Sequence, residues 1–179
     1  MGAISYEVDV RSVTEDLGAS LHLDADVELP VLVLGSEEFP PVGPGRLDVT
    51  VTNTGAGLVA SGTVHARVGA QCSRCLRDFV LDLSGEVEGF YITAGAEYEL
   101  PEEQEYAFIR EGAIDMMDAV LSSLTLELPL APLHAPDCAG ICPTCGIDLN
   151  DAECSCPPPG VDSPFSALKA LFPEDADAP

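Results

Sequence analysis

Apolar and polar residues alternate with a period of two through much of the first ninety positions. Leu21, Leu23, Ala25, Val27 and Leu29 fall on one face of an extended chain, and His22, Asp24, Asp26 and Glu28 on the other. That alternation marks a half-buried strand. Leu47, Val49 and Val51 alternate in the same way with Arg46, Asp48, Thr50 and Thr52, and Val64, Ala66 and Val68 with Thr63, His65 and Arg67. Thr54-Gly55-Ala56-Gly57 lies between the last two runs and supplies turn chemistry, so a hairpin is expected there. Its second strand runs into Cys72. Beyond Cys75 the alternation resumes at Phe79, Leu81 and Leu83 and continues from Val87 to Ile92. Tyr6, Val8 and Val10 form a further expected strand, and Gly35–Gly45, with its prolines and glycines, reads as a loop.

The period changes after Gly112. Ile114, Met117, Leu121, Leu124 and Leu128 recur at steps of three and four, with Asp115, Asp118, Ser122 and Thr125 on the opposite stripe. This predicts an amphipathic helix over Ala113–Leu128 that packs its Met and Leu stripe on the sheet, and Pro129 and Pro132 stop it. The expected fold class is α+β: an antiparallel β-rich body with one main packing helix, and a zinc-stapled, loop-rich C-terminal segment. The expected divisions are 1–130 for the body, 131–172 for the cysteine-rich zinc-binding segment, and 173–179 for an acidic tail. Within 131–172, Pro164–Phe172 reads as a short amphipathic stretch.

Composition narrows the partners. The chain has 31 acidic and 7 basic residues among 179, a net charge of −24, and an apolar fraction of 46%. The apolar content suits a folded core, and no run approaches the length of a membrane span. Met1–Val13 has charges spread through it and no apolar core of a signal peptide, so a cytoplasmic, reducing location is expected. So acidic a surface repels nucleic-acid phosphates and attracts a basic partner. The acidic run from Glu97 to Glu105 reads as a solvated loop. No Ser-His-Asp order, nucleotide-binding glycine loop or His-Glu-x-x-His helix is present, so no enzyme activity is expected.

The candidate chemistry lies in the cysteines, since their spacing suits tetrahedral zinc. Five of the seven, Cys138, Cys142, Cys145, Cys154 and Cys156, lie near the C-terminus, and Cys72-Ser-Arg-Cys75 lies upstream. Several ligand sets compete. The preferred one joins Cys142 and Cys145 to Cys154 and Cys156, with Cys138 as a substitute for one of the last two. The next takes Cys138, Cys142, Cys145 and Cys156. A third closes Cys72 and Cys75 onto Cys142 and Cys145. Ranked last, two zinc ions take all seven thiols, with His134 as the eighth ligand. Cys72 and Cys75 otherwise read as buried core thiols. Arg74 and Arg77 form the only dense basic spot; stabilising thiolates or pairing with acids is preferred over RNA contact. His22 and His65 fall on solvated strand faces.

Taken in order, the Cys72-Ser-Arg-Cys75-Leu knuckle, the acidic stretch, the Ile-Asp-led helix, Cys138-Ala-Gly-Ile-Cys142-Pro-Thr-Cys145-Gly-Ile-Asp-Leu-Asn150, Cys154-Ser-Cys156, and Asp162-Ser-Pro-Phe-Ser-Ala-Leu168-Lys169 resemble the YceD family of large ribosomal RNA subunit accumulation proteins. The likeness runs from about residue 45 to 172. It implies a cytoplasmic, non-enzymatic factor needed for accumulation of large-subunit ribosomal RNA, often encoded beside a large-subunit ribosomal protein. The expected partner is thus a basic ribosomal protein or a ribosomal assembly intermediate, with structural zinc in this chain. Asp162-Ser163-Pro164-Phe165 lacks the arginine of the family's Asp-Pro-Arg sequence, which weakens any phosphate contact there. Two rival functions stand beside this one. The first is a thiol-based redox or metal-sensing protein. The second binds ribosomal RNA directly through Arg74, Arg77 and Lys169.

Overall fold

The computed structural model describes residues 4–96, 101 and 103–157. Pro164–Phe172, Lys169, the acidic tail and most of the acidic run from Glu97 lie outside the described residues. The protein is α+β. Its main sheet has five strands in the order β2 (Ser20–Val27), β5 (Gly45–Asn53), β6 (Leu58–Gln71), β7 (Asp78–Ile92) and β8 (Ala107–Phe108). Every neighbouring pair is antiparallel except β7 and β8. Two small antiparallel pairs complete the strands: β1 (Glu7–Asp9) with β9 (Ala113–Asp115), and β3 (Leu32–Leu34) with β4 (Glu37–Phe39). A one-turn helix, α1 (Arg11–Thr14), follows β1, and α2 (Met117–Leu126) follows β9. Among the described residues no helix is long and apolar enough to cross a membrane.

The alternation becomes burial. Leu47, Val49 and Val51 of β5, with Leu58, Ala60, Val64, Ala66 and Val68 of β6, are buried, whereas the residues between them face outward or are half-covered. Each large side chain so covered contributes about 1.5–3 kcal/mol relative to exposure. The turn at 54–57 is closed by Thr54 N–H donating to the Gly57 carbonyl at 2.9 Å. In the helix, Met117, Val120 and Leu124 are buried in the same apolar core as β5 and β6. His22 and His65 are exposed.

Three details depart from the sequence expectation. The helix begins at Met117, because Ile114 pairs with Val8 across β1–β9 and an Asp115 carboxylate oxygen accepts the N–H groups of Tyr6 and Met117 at 3.0 Å. Strand pairing with a distant segment has overridden a local helical period. The stretch 35–45 is not all loop: Gly35 turns the chain into β4, and Phe39 is 1% exposed. The α1 turn was not foreseen; it buries Val10 and Val13, and the Thr14 hydroxyl donates to the Val10 carbonyl at 2.7 Å.

The described chain divides into two compact units. Residues 4–73 and 77–136 make the sheet-and-helix body; residues 74–76 and 137–157 make a smaller unit without helix or strand.

Candidate metal centres

Both Cys-x-x-Cys segments adopt one local shape. In each, the N–H of the first cysteine donates to the carbonyl five residues on: Cys72 to Arg77 at 2.9 Å, and Cys142 to Ile147 at 2.8 Å. The residue after the second cysteine is left-handed in both, Leu76 at φ 60° and Gly146 at φ 74°. Glycine takes that conformation freely, whereas leucine is strained there. The turn folds each chain back so that both sulfurs of a pair can face one point. Strained backbone at Leu76 is what such a point of attachment sustains.

The structure gathers eight potential donors into two sets of four, and in each set the ligand atoms all lie within 4.8 Å of one another. One set is Cys142, Cys145, Cys154 and Cys156; the other is Cys72, Cys75, His134 and Cys138. The first agrees with the preferred sequence scheme without its substitute. Cys138 does not join Cys142, although only three residues separate them. Between them Gly140 is left-handed at φ 78°, and a Cβ there would lie 3.2 Å from the Arg74 carbonyl. The chain therefore reverses, with Ile141 N–H donating to that carbonyl at 3.2 Å. Neither the set of Cys138 with Cys142, Cys145 and Cys156 nor that of Cys72 and Cys75 with Cys142 and Cys145 is assembled. The seven-thiol, His134 arrangement, ranked last from sequence, is the one whose donors come together.

In the thiol set, the Cys154 sulfur lies 3.3 Å from that of Cys142 and 3.5 Å from that of Cys145. Sulfurs bound to one tetrahedral zinc at about 2.3 Å sit about 3.8 Å apart, so the cluster has the size of a zinc shell. Its protons agree. The N–H groups of Cys145 and Thr144 point at the Cys142 sulfur and hold its pKa down to about 6. Cys156 is pushed up to about 12, first by the Cys154 sulfur and then by that of Cys145. Cys154 is also raised: the Cys156 N–H favours its thiolate, but the adjoining sulfurs of Cys142 and Cys145 outweigh it. Cys142, Cys154 and Cys156 thus oppose one another's ionisation, and a divalent cation held among them would supply positive charge.

In the second set, His134 Nδ1 lies 3.4 Å from the Cys72 sulfur. Its segment is drawn there by Ser73 N–H, which donates to the Pro132 carbonyl at 2.8 Å. Cys72 is fully buried, Cys75 and Cys138 nearly so. Asn150 supports Cys138 directly. Its side-chain amide donates to the Cys138 sulfur at 3.4 Å and its carbonyl accepts from Ala139 N–H at 2.8 Å. Such N–H···S contacts orient metal ligands and are part of a site's affinity. Arg74 donates to the Cys138 carbonyl at 3.0 Å, a structural engagement of one of the two arginines weighed for RNA. In the sequence Asn150 is only the end of a motif; an amide two residues past an aspartate carries no spacing signal for a sulfur partner.

Comparison with known proteins follows these ligands. The profile of the family described as large ribosomal RNA subunit accumulation protein YceD matches residues 60–172. The chain belongs to the YceD family. That match encloses all seven cysteines and His134. Among individual proteins, an uncharacterized protein of Mycobacterium tuberculosis (strain ATCC 25618 / H37Rv) is 31% identical over 150 residues, covering 79% of this chain and 70% of that protein. An uncharacterized protein of Mycobacterium bovis aligns with the same figures, and one of Mycobacterium leprae is 29% identical over 114 residues, covering 59% of this chain and 49% of its own. No solved structure matches the chain. The YceD description ties this family to accumulation of the large ribosomal RNA subunit, and the two donor sets lie in the family-matched part of the chain.

Proposed function

We propose that the protein is a cytoplasmic, non-catalytic factor in ribosome biogenesis that supports accumulation of large-subunit ribosomal RNA. It does so by binding a basic ribosomal protein or an assembly intermediate, and its zinc ions are structural. The observation that carries this reading is the YceD match over residues 60–172, which contains all the donors of both four-residue sets. The net charge of −24 supports a basic protein as the partner. Direct RNA contact has less support, because Arg74 is engaged with the Cys138 carbonyl and acidic surfaces repel phosphate. When bound, zinc would be held by Cys142, Cys145, Cys154 and Cys156, and by Cys72, Cys75, Cys138 and His134. It would neutralise the thiolates and cross-link chain segments that have little apolar burial of their own.

The test is removal of the gene, followed by the ratio of large- to small-subunit ribosomal RNA. A fall in the ratio, restored by the native chain and not by Cys142→Ser/Cys145→Ser, is expected; an unchanged ratio sinks the reading. A redox or metal-sensing role is the second reading, favoured by the lowered Cys142 pKa and its 3.3 Å approach to Cys154. Thiol titration separates the two. Structural zinc shields the thiols until a chelator is added, whereas a working redox pair reacts without one.

A further inference from the structure

The two donor sets differ in how far solvent reaches their sulfurs. Cys72, Cys75 and Cys138 are 0%, 7% and 3% exposed, and with His134 they are gathered from distant parts of the chain. Of the other set only Cys142 is buried; Cys154 and Cys156 are half-buried, and Cys145 is exposed. All four of these lie between Cys142 and Cys156, in the smaller unit. A thiolate is at once the metal ligand and the nucleophile, and cysteine oxidation follows thiolate character and access. Bound zinc holds every ligating sulfur as thiolate, so access is what separates the two sets.

Cys145 also has a second sulfur within reach. That of Cys154 lies 3.5 Å away, and the Cys156 N–H donates to it at 3.3 Å, which fixes its direction. A disulfide holds its sulfurs about 2.05 Å apart, so the pair must close by about 1.5 Å. The loop between them resists little. None of the residues 146–153 is buried, and its one isoleucine, Ile147, is 38% exposed.

We propose that Cys145 is an oxidation site for a hydroperoxide, with Cys154 as the resolving thiol, and that their disulfide releases the zinc ion of this set alone. The assignment rests on the structural-zinc reading above and adds its regulation. With hydrogen peroxide, the Cys145 thiolate attacks one oxygen; an S–O bond forms, the O–O bond breaks, and hydroxide leaves. The Cys154 thiolate then attacks the Cys145 sulfur of that sulfenic acid. The S–S bond forms, the S–O bond breaks, and a second hydroxide leaves. Two thiolates have lost two electrons, and one peroxide has gained them. Cys142 and Cys156 remain, two sulfurs where tetrahedral zinc takes four ligands, and the ion departs. A dithiol returns the pair to thiols by exchange, taking the disulfide itself. Unlike a free redox pair, these sulfurs stay on the metal until the oxidant arrives.

The test treats the full, zinc-loaded chain with excess hydrogen peroxide. Zinc release is read with a chelating dye, and disulfides are mapped by mass spectrometry after alkylation. One ion is expected to leave at least about tenfold faster than the other, because access differs. A Cys145–Cys154 disulfide should appear with it, and dithiothreitol with zinc should reload the site. Cys154→His keeps a zinc donor and removes the resolving thiol. It should form no such disulfide and should carry Cys145 on to sulfinic acid. If that variant loses its zinc, the disulfide map of the native chain decides. Release of both ions at one rate, or a first disulfide that omits Cys145, overturns the assignment. A chain purified without zinc sinks the structural-zinc reading, and the oxidation site with it. A chain that keeps both ions under peroxide sinks the oxidation site and leaves that reading standing.

Discussion

The sheet-and-helix body and the cysteine-bearing unit of 137–157 solve the entropy problem of folding in different ways. The body covers Leu47, Val49, Val51, Leu58, Val64 and Leu124 almost completely, so apolar burial offsets the ordering of its backbone. In the smaller unit only Cys138, Gly140 and Cys142 are buried among the described residues from 137 onward, and Ile147 is 38% exposed. Short backbone bonds such as Leu149 N–H to the Gly140 carbonyl hold it locally. Hydrogen bonds exchanged with water contribute only about 1 kcal/mol each. The contrast teaches that the first unit is stable by apolar burial, whereas the second has little of it and, on the function proposed above, depends on an ion held by its donors. Structural zinc supplies on the order of 10 kcal/mol of folding free energy in small metal domains, the scale missing from the second unit.

The most severe way to break the comparison is to remove one ligand. Cys142→Ser should abolish one equivalent of bound zinc and collapse hydrogen-exchange protection across 137–157. The melting transition of the body should stay where it is. A variant that keeps both ions and that protection would erase the distinction. Acid should act in the same direction. The Cys142 thiolate is populated above about pH 6 and lost below it, and Cys156 keeps its proton up to about 12, so loading must displace protons from Cys156 and from the raised Cys154. With at least these two protons displaced, zinc affinity is expected to fall by at least about 100-fold per pH unit, and lowering the pH from 7.5 to 5.5 should release the ion in a dye-binding assay.

The reverse experiment is Leu47→Ala in the centre of the sheet. It should destabilise the body by about 3 kcal/mol in urea denaturation while the zinc content of the native protein stays unchanged. Asn53 tests a polar contribution to the same body. Its amide donates to the Val13 and Thr14 carbonyls at 2.9 Å, and its oxygen accepts from Gly55 N–H at 2.9 Å. Asn53→Ala strands those carbonyls and should cost about 2 kcal/mol. The smallest expected effect is Asn150→Ala, which removes the donor to the Cys138 sulfur. Zinc affinity should drop about tenfold at the set containing Cys138, as read by competition with a chelator, and remain unchanged at Cys142.

Much of the fold was legible because period two in strands, steps of three and four in a helix, and turn glycines are local signals. The hairpin from β5 to β6, the strand feeding the first knuckle and the apolar face of α2 all follow from them. The helix start did not. Ile114 fits a helical stripe, and only its pairing with Val8, more than a hundred residues away, makes it a strand residue. The cysteine spacing likewise marked Cys142, Cys145, Cys154 and Cys156, which lie within fifteen residues of chain. His134 ranked last because a lone histidine at no standard spacing has no local mark.

The order of residues by itself determined which segments bury a face and which thiols could share an ion with their near neighbours, because both depend on contacts a few residues apart. Tertiary structure decided that Cys138 turns away from Cys142 at Gly140 and that His134 reaches Cys72. It also decided that Ile114 pairs with Val8 and so stays out of the helix. Each of these depends on segments distant in sequence meeting through backbone bonds and packing, which no local period records.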